Sequence, residues 1–307
     1  MQTTLKAALT FTGTGLHTGK PVRMTVRPAA AETGIWFKRT DILLGDNMIP
    51  ARYDSVSRTP LCTLLVNRAG ASVSTVEHLM AAFAGCGIHN ALVEIDGPEV
   101  PILDGSSVEF VRAFLRRGLQ AQDAPLRTIE VLKPVKVATD AGWACLSPST
   151  GFSMAFHISF PDAAIGTQEK QLNLRNGAFV RELSDSRTFC RQSDVDAMQA
   201  NGLALGGVPG ENAVVFDGDD IVSPGGLRHE DEPVRHKMLD ALGDLALAGA
   251  PIVGHYEGHR AGHAITNMLL HKLFETPGAF RMIECSANMA EHLPGTGVTR
   301  GEIPQVA

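Results

Sequence analysis

What the chain lacks narrows its reading first. Its five cysteines, Cys62, Cys86, Cys145, Cys190 and Cys285, are odd in number and form no C-x-x-C pair. That pattern gives no disulfide framework and best fits reduced thiols in a cytosolic setting. Nowhere do more than two Lys or Arg stand side by side, and the formal charge is −6. Nucleic acid is therefore not expected as the main partner, and any anionic substrate has to be met by local cations. The segment 1–12 shows no basic start followed by an apolar stretch and a small-residue cleavage site, so export is not expected and a cytoplasmic location is. Residues 141–160 contain no Asp, Glu, Lys or Arg, yet their Ser, Pro, Gly and His content makes a poor membrane helix. No membrane-spanning segment is expected.

Familiar nucleotide and hydrolase signatures are missing too. The glycines of Gly13-Thr14-Gly15-Leu16-His17-Thr18-Gly19-Lys20-Pro21 have neither P-loop spacing nor a Ser or Thr after Lys20, and Thr18 occupies the third glycine position of the dinucleotide fingerprint. A tight turn between strands is the better expectation. There is no G-x-S-x-G elbow and no H-E-x-x-H.

What is present is ordinary globular material, 44% hydrophobic and 20% charged over 307 residues. That length predicts two domains of roughly 120–180 residues. Alternation in Val22-Arg23-Met24-Thr25-Val26 and Ala91-Leu92-Val93-Glu94-Ile95 predicts half-buried strands. Ser74-Thr75-Val76-Glu77 has the form of a helix start, with an acid three residues after Ser74, and predicts a helix from about 75 to 85. A second helix is expected over Val108 to Arg117. The polar connection Gln120 to Pro125 places the domain boundary near 125, giving domains 1–125 and 126–307. Alternation restarts at Ile129, Val131, Val135 and Val137, and amphipathic stretches follow from about Glu232 to Ala248 and from Gly262 to Leu273. Strands followed by helices in both halves predict an α+β fold with helices on one face of each sheet. The Gly-rich stretch 194–221 reads as an insert that shapes a substrate groove.

The strongest local chemical signal is His236-Lys237-Met238-Leu239-Asp240, because residues four apart share a helix face and can present two ligands to one ion. By itself the pair is weak. The alternative is a solvated face with Asp240 paired to Lys237 or Arg235. Glu77-His78 offers a third ligand and, beside it, a carboxylate able to take a proton from water; its alternative is a helix-start acid next to a core histidine. His263 could protonate a leaving amine, with Asp244, one turn beyond Asp240, holding it charged. Other histidines compete, among them His89, His229, His255, His259 and His271.

Taken in order, Gly15-Leu16-His17-Thr18-Gly19, Thr75-Val76-Glu77-His78-Leu79-Met80-Ala81-Ala82, Ser186-Arg187-Thr188-Phe189, Val234-Arg235-His236-Lys237-Met238-Leu239-Asp240 and Gly262-His263-Ala264 resemble the UDP-3-O-acyl-N-acetylglucosamine deacetylases of bacterial lipid A synthesis. Asp96 to Ser106 and Gly202 to Gly207 are similar as well. The resemblance implies two similar domains, each a sheet with two helices, in a β-α-α-β sandwich with the active site at their interface. It also implies zinc on His78, His236 and Asp240, with iron(II) as a second candidate for such a ligand set. Glu77 becomes the general base, His263 the cationic acid supported by Asp244, and Thr188 the oxyanion donor. Substrate contacts are expected from Lys237, Phe189, Phe160 and Cys62, and the 194–221 insert would form an apolar passage for the 3-O-acyl chain. The turn Val208-Pro209-Gly210-Glu211-Asn212 is one residue longer than that family's pattern, which bears on the groove's shape. An acylated UDP-N-acetylglucosamine is the expected partner, and the expected form is a monomer. Two rivals remain: a zinc hydrolase for a different N-acylated sugar or amino acid, and a metal-stabilised sugar-binding protein.

Overall fold

A computed structural model describes residues 1–59 and 61–305. The fold is α+β, as the order of patterns predicts. The first half builds a five-stranded sheet in the order Leu9–Thr14, Pro21–Pro28, Ala91–Ile95, Ile35–Arg39, Met48–Pro50, antiparallel except where Ile35–Arg39 runs parallel to Ala91–Ile95. The second half builds a seven-stranded sheet around Ile252–His259, which is flanked by Trp143–Ser147 and by Phe152–Ser159. The expected turn after Leu9–Thr14 is present: the Gly15 N–H reaches the Lys20 carbonyl at 3.0 Å before the chain re-enters the sheet at Pro21.

Six helices matter here. Helix α1 is Glu77–Cys86, α2 Val108–Arg117, α3 Ala178–Glu182, α4 Gln192–Ala200, α5 Glu232–Ala246 and α6 His263–Glu275. Helix α2 has one wet face, with Val108, Phe110, Val111, Phe114 and Leu115 buried. Helix α1 has almost none: every residue but Ala84 is buried, so it lies inside the molecule. It ends at Gly87, whose φ of 69° is the left-handed cap that glycine adopts without a Cβ penalty. Helix α1 packs along α5. The approach is closest at Gly243, where an added Cβ would lie 2.0 Å from the Glu77 carbonyl oxygen. One continuous apolar core joins Phe37 and Val93 of the first sheet through Leu79, Phe83 and Leu239 to Met154 and Tyr256 of the second.

One expectation is corrected. Ser74 does not cap α1: its hydroxyl donates to the Pro98 carbonyl, Thr75 takes a φ of 57°, and the helix begins only at Glu77. The left-handed Thr75 breaks the geometry a capping box needs, and it turns the Glu77 carboxylate inward rather than back over the helix end. The 194–221 insert opens within α4 and closes on the strands Val214–Asp217 and Asp220–Ile221. No residue of α4 is buried, so there was no apolar stripe for the pattern to show.

Candidate active site

The first turn of α1 and the second turn of α5 bring His78, His236 and Asp240 together, one potential ligand atom from each lying within 4.8 Å of the others. Asp240 Oδ1 stands 3.3 Å from His236 Nε2 and 3.5 Å from His78 Nε2. The two imidazoles meet edge to face with centroids 5.0 Å apart. Asp240 Oδ1 is buried and has no hydrogen-bond partner, a costly state unless a cation completes it. His236 Nδ1 faces the Ser186 carbonyl at 3.0 Å, so that nitrogen carries the proton and Nε2 keeps its lone pair for the cluster. Burial pushes the His236 pKa down to about 4, leaving the ring neutral at physiological pH. Burial opposes charge on Asp240, but His236, the Lys237 ammonium and His78 hold its carboxyl well below the usual range. Two imidazoles and an ionised, half-unsatisfied carboxylate suit a borderline divalent cation such as zinc.

A second group of charges lies alongside. The Glu77 carboxylate is buried, accepts the Thr63 N–H at 3.0 Å, and stands 3.7 Å from His263 Nε2. Burial raises its pKa, and His263 and His78 partly offset this. His263 Nδ1 meets Asp244 Oδ2 at 2.8 Å, while the Thr63 hydroxyl donates to Asp244 Oδ1 at 2.5 Å. Burial alone would lower the His263 pKa, but Asp244 and Glu77 outweigh it and raise it to about 9. His263 is therefore an imidazolium held between two carboxylates.

These groups open into a cavity of about 450 Å³. Glu77, His78, Thr188, Phe189, Phe160, His236, Lys237, Asp240 and His263 all lie on its wall, so nine of the eleven residues singled out from the sequence converge. Asp244 stands behind His263. Cys62 does not reach the wall; it is buried, the wall there is formed by Leu61, and burial pushes the Cys62 thiol up to about 11. Lys237 Nζ bonds Asp240 Oδ2 at 2.8 Å, so the pairing weighed against metal binding is present together with the ligand cluster. The apolar wall comes largely from Leu16, Leu61, Val195, Met198 and Pro209, three of which belong to the 194–221 insert. Sequence reading passed over Thr63, which touches both Glu77 and Asp244, and the Ser186 carbonyl behind His236. Neither has a side-chain signature in the sequence.

A family model for UDP-3-O-acyl N-acetylglycosamine deacetylase matches residues 2–275. A UDP-3-O-acyl-N-acetylglucosamine deacetylase of Phenylobacterium zucineum is 50% identical over 290 residues, 94% of this chain and 99% of that protein. Proteins of the same name from Shewanella frigidimarina and Idiomarina loihiensis are 43% and 44% identical, each across 92% of both chains. With its matched length and the cluster just described, the chain belongs to the UDP-3-O-acyl N-acetylglycosamine deacetylase family.

Proposed function

We propose that the chain hydrolyses the N-acetyl group of a UDP-3-O-acyl-N-acetylglucosamine, releasing acetate and the free 2-amino sugar nucleotide, an early committed step of lipid A synthesis. One observation carries the reading: an unsatisfied Asp240 oxygen between two imidazoles, on the same cavity wall as a buried carboxylate and a half-buried imidazolium. His78, His236 and Asp240 would hold zinc. Bound there, the ion supplies Lewis acidity toward the acetamide carbonyl and lowers the pKa of water.

The remaining work falls to side chains. Glu77, its pKa raised by burial, is suited to take a proton from the attacking water. The Thr188 hydroxyl, on the cavity wall, donates to the oxyanion as the carbonyl becomes tetrahedral. His263 donates its proton to the glucosamine nitrogen as the C–N bond breaks, and Asp244 keeps it charged until then. Phe189 and Phe160, 5.5 Å apart edge to face, form a wall for the sugar and nucleotide. The apolar residues of the insert take the acyl chain.

Among the described residues no helix is long and apolar enough to cross a membrane. A cytoplasmic monomer with domains meeting near residue 125 completes the reading. The test is deacetylation of one acylated UDP-sugar with zinc stoichiometry measured alongside. Glu77→Ala should keep the metal and lose roughly 10²–10⁴-fold in rate, whereas His78→Ala and Asp240→Ala should lose metal. Full metal content in both ligand variants refutes the site. Equal turnover of the sugar nucleotide lacking its 3-O-acyl chain refutes the lipid substrate. Chelation that unfolds the protein, rather than silencing it, would favour a structural metal.

A further inference from the structure

The first residue of α5 is a carboxylate with no place in the chemistry above. Glu232 is 1% exposed, and its two oxygens accept four N–H groups. Oε1 takes the Arg187 backbone N–H at 2.9 Å and Arg187 Nε at 3.0 Å; Oε2 takes Arg187 Nη2 at 3.1 Å and the Arg228 backbone N–H at 2.7 Å. The segment it grips runs between α3 and the strand Phe189–Arg191 and carries both Thr188 and the Ser186 carbonyl that faces His236. Glu232 and His236 are four residues apart on α5 and so share a face. The result is a closed ring: Glu232 to His236 along one helical turn, His236 Nδ1 to the Ser186 carbonyl, and the next N–H, that of Arg187, back to Glu232. Rotation of the His236 ring would break the ring of bonds, and so would a slide of the segment past the helix.

We propose that Glu232 is a positioning residue for the metal cluster, acting through the Arg187 backbone N–H to keep the Ser186 carbonyl on His236 Nδ1. The inference rests on the reading of His78, His236 and Asp240 as ligands. Its physical basis is that an imidazole binds a metal best when the other nitrogen is held by an acceptor, which fixes tautomer and ring angle. Arg187 supplies charge balance for a carboxylate that would otherwise be buried alone. Its fork also reaches the Gly226 carbonyl at 2.8 Å, and Arg228 ties the same network to Asp104 and the Asp185 carbonyl.

The experiment uses the full chain stripped of metal, titrated with Zn²⁺ against a competing chelator, with thermal unfolding recorded with and without Zn²⁺. Glu232→Gln should weaken Zn²⁺ binding by about 10–100-fold. It should also shrink the metal-induced rise in unfolding temperature, which a merely structural role would leave intact while lowering both curves together. Arg187→Lys removes the fork but keeps the backbone N–H, and should bind Zn²⁺ within about threefold of the wild type, however much it lowers the unfolding temperature. If Glu232→Gln does not fold, Glu232→Asp, which keeps the charge but withdraws it by one methylene, carries the same expectation. Wild-type affinity in the Glu232 variant overturns the proposal. So does an Arg187→Lys loss as large as that of Glu232→Gln, since the fork and not the backbone link would then be responsible. A wild-type chain that holds no Zn²⁺ would instead sink the ligand assignment itself, and this inference with it.

Discussion

Two cavities open along the α1 and α5 pair, and the larger is not the one with chemistry. At about 530 Å³, the larger is lined by later turns of both helices, through Met80, Phe83, Leu242 and Leu245. The smaller, at about 450 Å³, takes the first turn of α1 and the stretch of α5 from His236 to Asp240. In the larger cavity polar groups are paired off: Gln2 donates to Glu32 at 2.5 Å, Asn90 donates to Gln2 at 2.8 Å, and burial pushes His89 down to about 4, where it stays neutral. In the smaller one Glu77, Asp240, Lys237 and His263 are charged or poised to be, and one carboxylate oxygen has no partner. Volume therefore says little about function. Opposed charges held out of water, which a fold tolerates at a cost to stability, say far more.

The point where the two regions divide is the helix crossing, and the largest effect is expected there. In Gly243→Ala the new Cβ meets the Glu77 carbonyl oxygen at 2.0 Å, and backbone cannot rotate away as a side chain would. The helices must separate, which places the cost in the exceptional range above about 5 kcal/mol and parts His78 from Asp240 in the same movement. Denaturant unfolding with metal analysis checks both; a variant that retains wild-type stability and metal would show that the crossing is slack. Next comes a cut confined to the apolar end. Phe83 is 1% exposed and stacks on Phe114 at 5.1 Å, so Phe83→Ala should cost about 3–5 kcal/mol while metal affinity per folded molecule stays unchanged. Loss of metal in step with stability would mean the two ends are not separable.

How much of this contrast the sequence displayed depends on which groups do the work. Helix α2 was legible because one of its faces is wet, and α5 because His236 and Asp240 are four residues apart on a patterned helix. Glu77 was legible as an acid beside a ligand, but its local setting was misread. Its setting combines the Thr63 N–H, from outside the helix, with the left-handed Thr75 two residues before it, and no capping pattern encodes either. The convergence of α1 with α5 across 158 residues of chain, from His78 to His236, was reached through the family resemblance and not through spacing. Backbone partners such as the Ser186 carbonyl are invisible by nature, because every residue carries one.

A smaller effect, in pH, should separate His263 from His236. His263 lies at about 9, and Asp244 is the first cause holding it up against burial. A raised value keeps the imidazolium through neutrality and loses it as pH climbs through 9; a bound dication, repelling it, draws that limb lower. By the same linkage the His263 and Asp244 pair stabilises the fold fully below about 6.5 and contributes nothing above about 9. Asp244→Asn should therefore move the alkaline limb of the deacetylation rate to lower pH under equal metal loading, and flatten stability between pH 6.5 and 9. An unmoved limb would take the proton donor's role away from His263.

The smallest effect is expected at Lys237, although it is a cation beside the ligands. Asp240 divides its oxygens: Oδ1 faces the two imidazoles and Oδ2 accepts from Lys237 Nζ. The ammonium therefore sits outside the ligand cluster, on the carboxylate's far side, as a partly exposed i,i+3 partner worth about 1 kcal/mol. Lys237→Met should change stability by no more than that and metal affinity by less than about threefold, since the oxygen offered to the ion is not the one it holds. If its ammonium meets an anionic or hydroxyl group of the substrate, KM should rise while metal content holds. Loss of metal in Lys237→Met would mean that the ion needs the oxygen Lys237 holds as well as Oδ1, and the division of labour between the two oxygens would fall.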